Sequence, residues 1–79
     1  MEFNVNIKKF SEKFQEEYNF LYDNNDNVAG YREAVEAFDE FLPNQKEFVM
    51  EFNYYRGDII SSDREAAAFM FALDDMTEG

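Results

Sequence analysis

One stretch of the chain has residue types that match the ligands of a calcium ion. Asp23, Asn25 and Asn27 occupy alternate positions, as oxygen ligands do in the first half of a twelve-residue calcium loop. Such a loop also needs glycine at its sixth position and a bidentate glutamate at its twelfth, where this chain has Val28 and Ala34. Because both requirements fail, the sequence predicts an Asn- and Asp-rich turn ahead of a helix. We therefore expect no metal and no cofactor.

Side chains that commonly act in catalysis are scarce. The chain has no His and no Cys, which excludes a disulfide, a zinc site built on those ligands and the usual nucleophile–base pairs. Ser61 and Ser62 resemble helix caps more than nucleophiles, and the chain has no glycine-rich phosphate loop. Carboxylate pairs can transfer protons, but among 18 acidic residues such pairs arise by chance. The sequence predicts a protein that is not an enzyme.

Acidic side chains recur at the spacing of a helical turn. The acids in question are Glu33, Glu36, Asp39, Glu40, Glu47 and Glu51. On a helix, Glu33, Glu36 and Glu40 fall within about 60° of one another. Like charges at this spacing destabilise a helix by a few tenths of a kcal/mol per pair. None of the seven basic residues follows an acid by three or four positions, which is the favourable order. This placement favours a binding surface over a stabilising role.

The whole chain is strongly acidic, with a formal net charge of −11 from 18 acidic and seven basic residues. Small domains usually carry a net charge of about 2–8 in magnitude. An excess of this size repels DNA, RNA and anionic membranes and attracts basic surfaces. The sequence has no signal-peptide pattern and no apolar run of roughly 18 residues, so we expect a cytoplasmic protein that does not enter a membrane.

The acids at positions 33–40 belong to the clearest helical pattern in the chain, which predicts a helix over residues 29–42. Pro43 is expected to end it, because the residue before a proline is pushed away from helical angles. An earlier helix is predicted over residues 9–22. Its apolar face combines Phe10, Phe14, Tyr18 and Leu21.

Residues 46–56 allow two interpretations. Phe48, Val49 and Phe52 share one helical face, whereas Phe48, Met50 and Phe52 also alternate as in a strand. Asn44 as an N-cap and Gly57 as a C-terminal cap favour the helix.

The two chain ends complete the pattern. Ser62 followed by Glu65 is a capping box that opens a last helix, which continues to about residue 74. At the N-terminus, alternation over residues 2–8 indicates a short edge strand or an extended arm over the core. The sequence predicts a single domain over residues 1–79, mostly α, as a three- to four-helix bundle with or without this strand. The alternative is an α+β fold with strands near residues 2–8 and 47–56.

Ten Phe and five Tyr exceed what a core of this size is expected to hide. Tyrosine is enriched at protein interfaces, so Tyr54 and Tyr55 are candidate anchors on an exposed surface.

In composition the chain resembles small acidic inhibitors of the DNA-mimic class, many of which phages encode against restriction, CRISPR or repair enzymes. The likeness covers the whole chain: small size, large negative charge, many aromatics, no Cys, and rows such as Glu33–Glu36–Asp39–Glu40. Those proteins share no single fold, so the resemblance bears on function alone. It implies a non-catalytic inhibitor in the host cytoplasm that occludes the Lys- and Arg-rich groove of a nucleic-acid-binding protein. The residues expected to make the contact are Glu33, Glu36, Asp39, Glu40, Glu47, Glu51, Tyr54 and Tyr55.

The alternative function is a helical protein–protein interaction module or homodimer that binds through apolar and aromatic surface. In that case the charge serves solubility.

Overall fold

A computed structural model of the protein describes residues 5–77, which form four α-helices. Their bounds are α1 Ile7–Asp23, α2 Tyr31–Asn44, α3 Lys46–Arg56 and α4 Asp63–Thr77. The prediction of a mostly α fold is confirmed. No strand occurs within residues 5–77, so the α+β alternative is not supported. Of the predicted N-terminal strand, residues 7 and 8 are helical, and residues 2–4 lie outside the described part of the chain.

The strand interpretation of residues 47–56 is wrong for a reason of packing. Val49 and Phe52 are buried on one side of α3, whereas Met50 and Tyr54 are exposed. A strand would have placed Met50 and Phe52 on the same face. Gly57 ends the helix at φ 74°, and the amides of Gly57 and Asp58 donate to carbonyls of its last turn. This pair of hydrogen bonds is a Schellman cap, which needs a left-handed residue.

The Asn- and Asp-rich turn after α1 ends that helix in the same way. Asn25 has φ 53°, and its amide donates to the carbonyl of Tyr22. The Asp26 amide donates to the carbonyl of Leu21 at 2.8 Å. Asparagine is among the few residues with a side chain that tolerate this left-handed geometry. The predicted turn is therefore confirmed as a helix stop.

The junction between α2 and α3 differs from the prediction. Helix α2 continues through Pro43 to Asn44, because the Gln45 amide donates to the carbonyl of Phe41 at 3.0 Å. Asn44 does not cap α3. Its Nδ2 donates backwards to the carbonyl of Glu40 at 3.1 Å, which satisfies the C-terminus of α2. A proline this close to a helix end removes few backbone hydrogen bonds.

Helix α4 is the centre of the fold. It packs against α1 and α2, while α3 packs across α1 and α2 on one side. Three consecutive alanines, Ala66–Ala68, are buried in α4 and let its neighbours approach closely. Beside them the fully buried Phe69 ring meets rings from every other helix, with centroids 4.9–5.8 Å away. Its ring partners are Phe10, Phe38, Phe41, Phe48 and Phe52.

Candidate partner-binding surface

All eight residues predicted to bind a partner are exposed. They are Glu33, Glu36, Asp39 and Glu40 on α2, and Glu47, Glu51, Tyr54 and Tyr55 on α3. We call the six carboxylates of this set the α2–α3 acids. Only Gln45 separates the two helices, so the acids of α3 follow those of α2 directly along the chain.

On α2, Glu36 and Glu40 lie opposite the core. Ala34, Val35 and Phe38 are buried against the rest of the protein. At 100° per residue, Glu36 and Glu40 lie at the outward pole of this helix. The side chains therefore point to solvent because the apolar stripe fixes the rotation of α2 about its own axis.

On α3 an acidic row runs beside an exposed apolar row. Glu47 and Glu51 are one turn apart, and Met50 and Tyr54 form the adjacent row at the same spacing. Tyr54 keeps 90% of its surface exposed and Met50 keeps 66%. Met50 was not among the predicted site residues. Its alternation with Phe48 and Phe52 suggested a buried strand position, although helical periodicity alone would have placed it outside.

Four of the seven basic residues are paired with acids outside this set. Lys13, Arg32, Arg56 and Arg64 form every ion pair within residues 5–77. Their partners are Glu16, Asp26, Asp58, Asp63, Glu65 and Asp75. None of the α2–α3 acids forms an ion pair with a described residue. Their negative charge is therefore not neutralised within this part of the chain.

One of these cations, Arg56, links the end of α3 to Glu65 at the start of α4. The Arg56 side chain lies over the Phe14 ring at 4.9 Å and donates through Nη2 to the Glu65 carboxylate. Glu65 also accepts hydrogen bonds from the amides of Ser61 and Ser62, at 2.9 and 3.1 Å. The Ser62 Oγ accepts from the Glu65 amide, which confirms the predicted capping box.

One acid of the stretch that resembles a calcium loop, Asp26, also forms an ion pair within the protein. Asp26 accepts two hydrogen bonds from Arg64, with its Oδ1 2.7 Å from Nε and its Oδ2 3.1 Å from Nη2. This bidentate pair joins the turn after α1 to the first turn of α4. Within residues 5–77, no group of three or more acidic side chains is arranged to hold a metal ion. The sequence offers no signal for this pairing, because its partners are 38 residues apart.

None of the four helices within the described residues is long and apolar enough to cross a membrane. Comparisons with protein-family models, curated proteins and solved structures return no match for this chain.

Proposed function

We propose that the protein is a small, non-catalytic inhibitor that binds the Lys- and Arg-rich groove of a nucleic-acid-binding protein in place of nucleic acid. The observation that supports this most is the set of six exposed α2–α3 acids, none of which pairs with a cation of the described chain. Holding like charges together costs folding free energy, and a basic partner would recover it.

The spacing of the acids supports mimicry of a phosphate backbone. Carboxylates one helical turn apart are separated by about 5–6 Å along the axis. Rows of this kind present repeated negative charge to a groove that holds phosphates through lysine and arginine. The occluded partner would be an enzyme or complex that handles nucleic acid in the host cytoplasm, of the restriction, CRISPR or repair type that the compositional resemblance suggests.

Exposed apolar side chains beside the acids would anchor the complex. Tyr54 and Met50 are the most exposed large apolar residues of α3, and Tyr55 keeps 49% of its surface exposed. Tyrosine at the centre of an interface often contributes much of the binding energy. The acids would then steer association, and the aromatic side chains would slow dissociation.

The test compares two triple variants with equal net charge. One carries Glu36→Gln, Glu40→Gln and Glu51→Gln within the α2–α3 acids. The matched control carries Glu12→Gln, Glu16→Gln and Asp23→Asn on α1. Each protein is immobilised, a bacterial lysate is applied, and the column is washed with increasing salt. We expect wild type and control to retain a nucleic-acid-handling protein that salt releases, and the first variant to lose it.

The alternative is an interaction module that binds through apolar surface, with the charge serving solubility. The exposure of Met50, Tyr54 and Ile59, each at least 66%, favours this alternative. Under it both triple variants retain the same partner. Retention of only proteins that do not handle nucleic acid would also contradict the mimic proposal.

A further inference from the structure

A second surface lies on the side of the molecule that α3 leaves uncovered. Helices α1 and α2 both pack on α4, but their backbones do not approach each other closely, so α4 is the floor of a trough between them. Phe14 of α1 points towards α3, where its ring contacts Phe52. Phe20 lies about 120° around the same helix and lines the trough instead. We call this feature the α1–α2 trough.

The α1–α2 trough consists of two adjoining depressions of about 290 and 330 Å³ that share Phe71. Its floor is Met70 and Phe71 of α4, both partly exposed. Small residues, including Ala34 and Ala37, line the α2 side. Phe20, on the α1 side, is 53% exposed, which is unusual in a domain that buries its other described phenylalanines more fully.

Glycine as well as alanine lines the α2 side, so the side chains on this wall of the trough are small. Gly30 has φ 83°, and a Cβ placed on it would lie 3.9 Å from Cε1 of Phe71. Glycine satisfies the left-handed turn that starts α2 and also leaves the Phe71 ring accessible from the trough. From Gly30 to Ala37 the trough follows α2 for about 10 Å, which is close to two helical turns.

The rim of the α1–α2 trough carries a single sign of charge. Glu17, Glu33 and Asp74 stand at its edges, one from each bounding helix. Burial, together with a hydrogen bond and repulsion from Asp75, raises the pKa of the Glu17 carboxyl. Lys13, which also lies 3.6 Å from Asp75, acts on this pKa in the opposite direction.

We propose that the α1–α2 trough binds a basic amphipathic helix of a partner protein. The apolar floor fits side chains at i, i+3 or i+4, and i+7 of such a helix, which is the usual pattern of helix-in-groove recognition. The acidic rim selects lysine or arginine on the flanks of that helix. A second copy of this chain is a poor occupant, because it would bring a further net charge of −11 to an acidic rim.

This surface is separate from the one that carries the proposed function. It lies between α1 and α2, and Glu33 is the only residue of the α2–α3 acids that borders it. A partner could therefore occupy the trough whether or not the α2–α3 acids bind a basic groove.

The test uses a synthetic helical peptide with leucine on one face and lysine on both flanks. A second peptide of the same composition, with its leucines scattered around the helix, serves as the control probe. Titration into isotope-labelled protein, followed by amide NMR shifts, should move Gly30, Ala37 and Phe71 first. The scattered peptide should produce no localised shifts, because charge attraction alone does not select the trough.

Two substitutions distinguish binding in the trough from general attraction of a basic peptide to an acidic protein. Ala37→Lys places a bulky cation in the trough, and Met50→Lys adds the same charge on the outer face of α3. We expect Ala37→Lys to weaken the leucine-faced peptide about tenfold or more, and Met50→Lys to change it about twofold at most. Ala29→Lys, just before α2, is a second blocking variant that does not depend on packing within a helix. Circular dichroism confirms that each variant is folded.

Several results would overturn the proposal. These are equal weakening by Ala37→Lys and Met50→Lys, shifts centred on Glu36, Glu47 and Glu51, and equal binding of both peptides. Self-association through the trough, seen by sedimentation and abolished by Ala37→Lys, would assign the surface to a second copy instead. The triple variant Glu36→Gln, Glu40→Gln and Glu51→Gln should bind the leucine-faced peptide within about threefold of wild type. If that variant loses the nucleic-acid-handling partner but still binds the peptide, the loss is due to the α2–α3 acids and not to the trough.

Discussion

Glu17 and Glu65 are both partly buried, yet their surroundings shift their acidity in opposite directions. Burial raises the pKa of Glu17, and Asp75 raises it further. Burial acts in the same direction on Glu65, but hydrogen bonds from Arg56 and Ser61 outweigh it and lower the pKa of that carboxyl. The two residues therefore make opposite contributions to stability as pH changes.

Glu17→Gln should stabilise the protein at neutral pH. A raised pKa in the folded state gives stability that is present below the ordinary pKa and is lost as pH rises through the raised value. Near pH 7 wild type holds a carboxylate where a neutral group is preferred, and glutamine removes that charge. Thermal unfolding should show a higher Tm for the variant at pH 7, with the difference shrinking below about pH 4.5. Glu16→Gln, one residue away, is the control, and an equal gain from it would contradict this account.

Glu65→Gln should destabilise the protein at neutral pH by about 1–3 kcal/mol, because the charge-assisted bonds from Arg56 and the start of α4 weaken. A lowered folded-state pKa gives stability that is present above the ordinary pKa and is lost as pH falls through the lowered value. The gap between wild type and variant should therefore close in acid, below about pH 4.5. Asp58→Asn is the control, because Asp58 also pairs with Arg56 but is largely exposed. A urea unfolding series across pH 3–7 measures both, and a gap that does not narrow as pH falls below about 4.5 would speak against the assignment.

At the scale of elements, the helices follow from periodicity, but their junctions do not. The apolar stripe of α2 fixes which of its side chains face solvent, so exposure of its acids could be predicted. Asn44, in contrast, could cap the end of α2 or the start of α3, and its hydrogen bond to Glu40 decides for α2. Features that join residues far apart in the chain could not be predicted from any local sequence pattern. The Arg64–Asp26 pair and the α1–α2 trough depend on which helices meet, and that is set by packing on α4.

Phe69→Ala tests the central role of α4. Removing a fully buried ring costs about 3–5 kcal/mol, which is a large part of the stability of a domain this small. We expect the variant to be largely unfolded or to lose most of its cooperative transition in urea, because Phe69 joins α4 to the other three helices. Phe20→Ala is the matched control, because that ring is 53% exposed and should cost much less. Similar transitions for the two variants would refute the packing described.

At the scale of the whole molecule, the net charge of −11 is a cost to folding. The α2–α3 acids repel one another and form no ion pair with a described residue, so screening should relieve part of this cost. We expect the Tm to rise as sodium chloride increases from about 10 mM to 500 mM. The Debye length shortens over this range, so the repulsion between the exposed acids weakens. The charge-reduced triple variant at Glu36, Glu40 and Glu51 should show a smaller rise. A Tm that falls with salt would mean that ion pairs outweigh the repulsion.

The compositional resemblance and the acidic surface lead to one central claim: the protein and nucleic acid compete for the same site on a partner. The direct measurement is the affinity of the retained partner for a fluorescent nucleic acid, by anisotropy, with increasing amounts of this protein. The account predicts that the labelled nucleic acid is displaced, that more nucleic acid restores its binding, and that the Glu36, Glu40 and Glu51 variant displaces it far less than the α1 control. A ternary complex, or displacement that added nucleic acid cannot reverse, would contradict it.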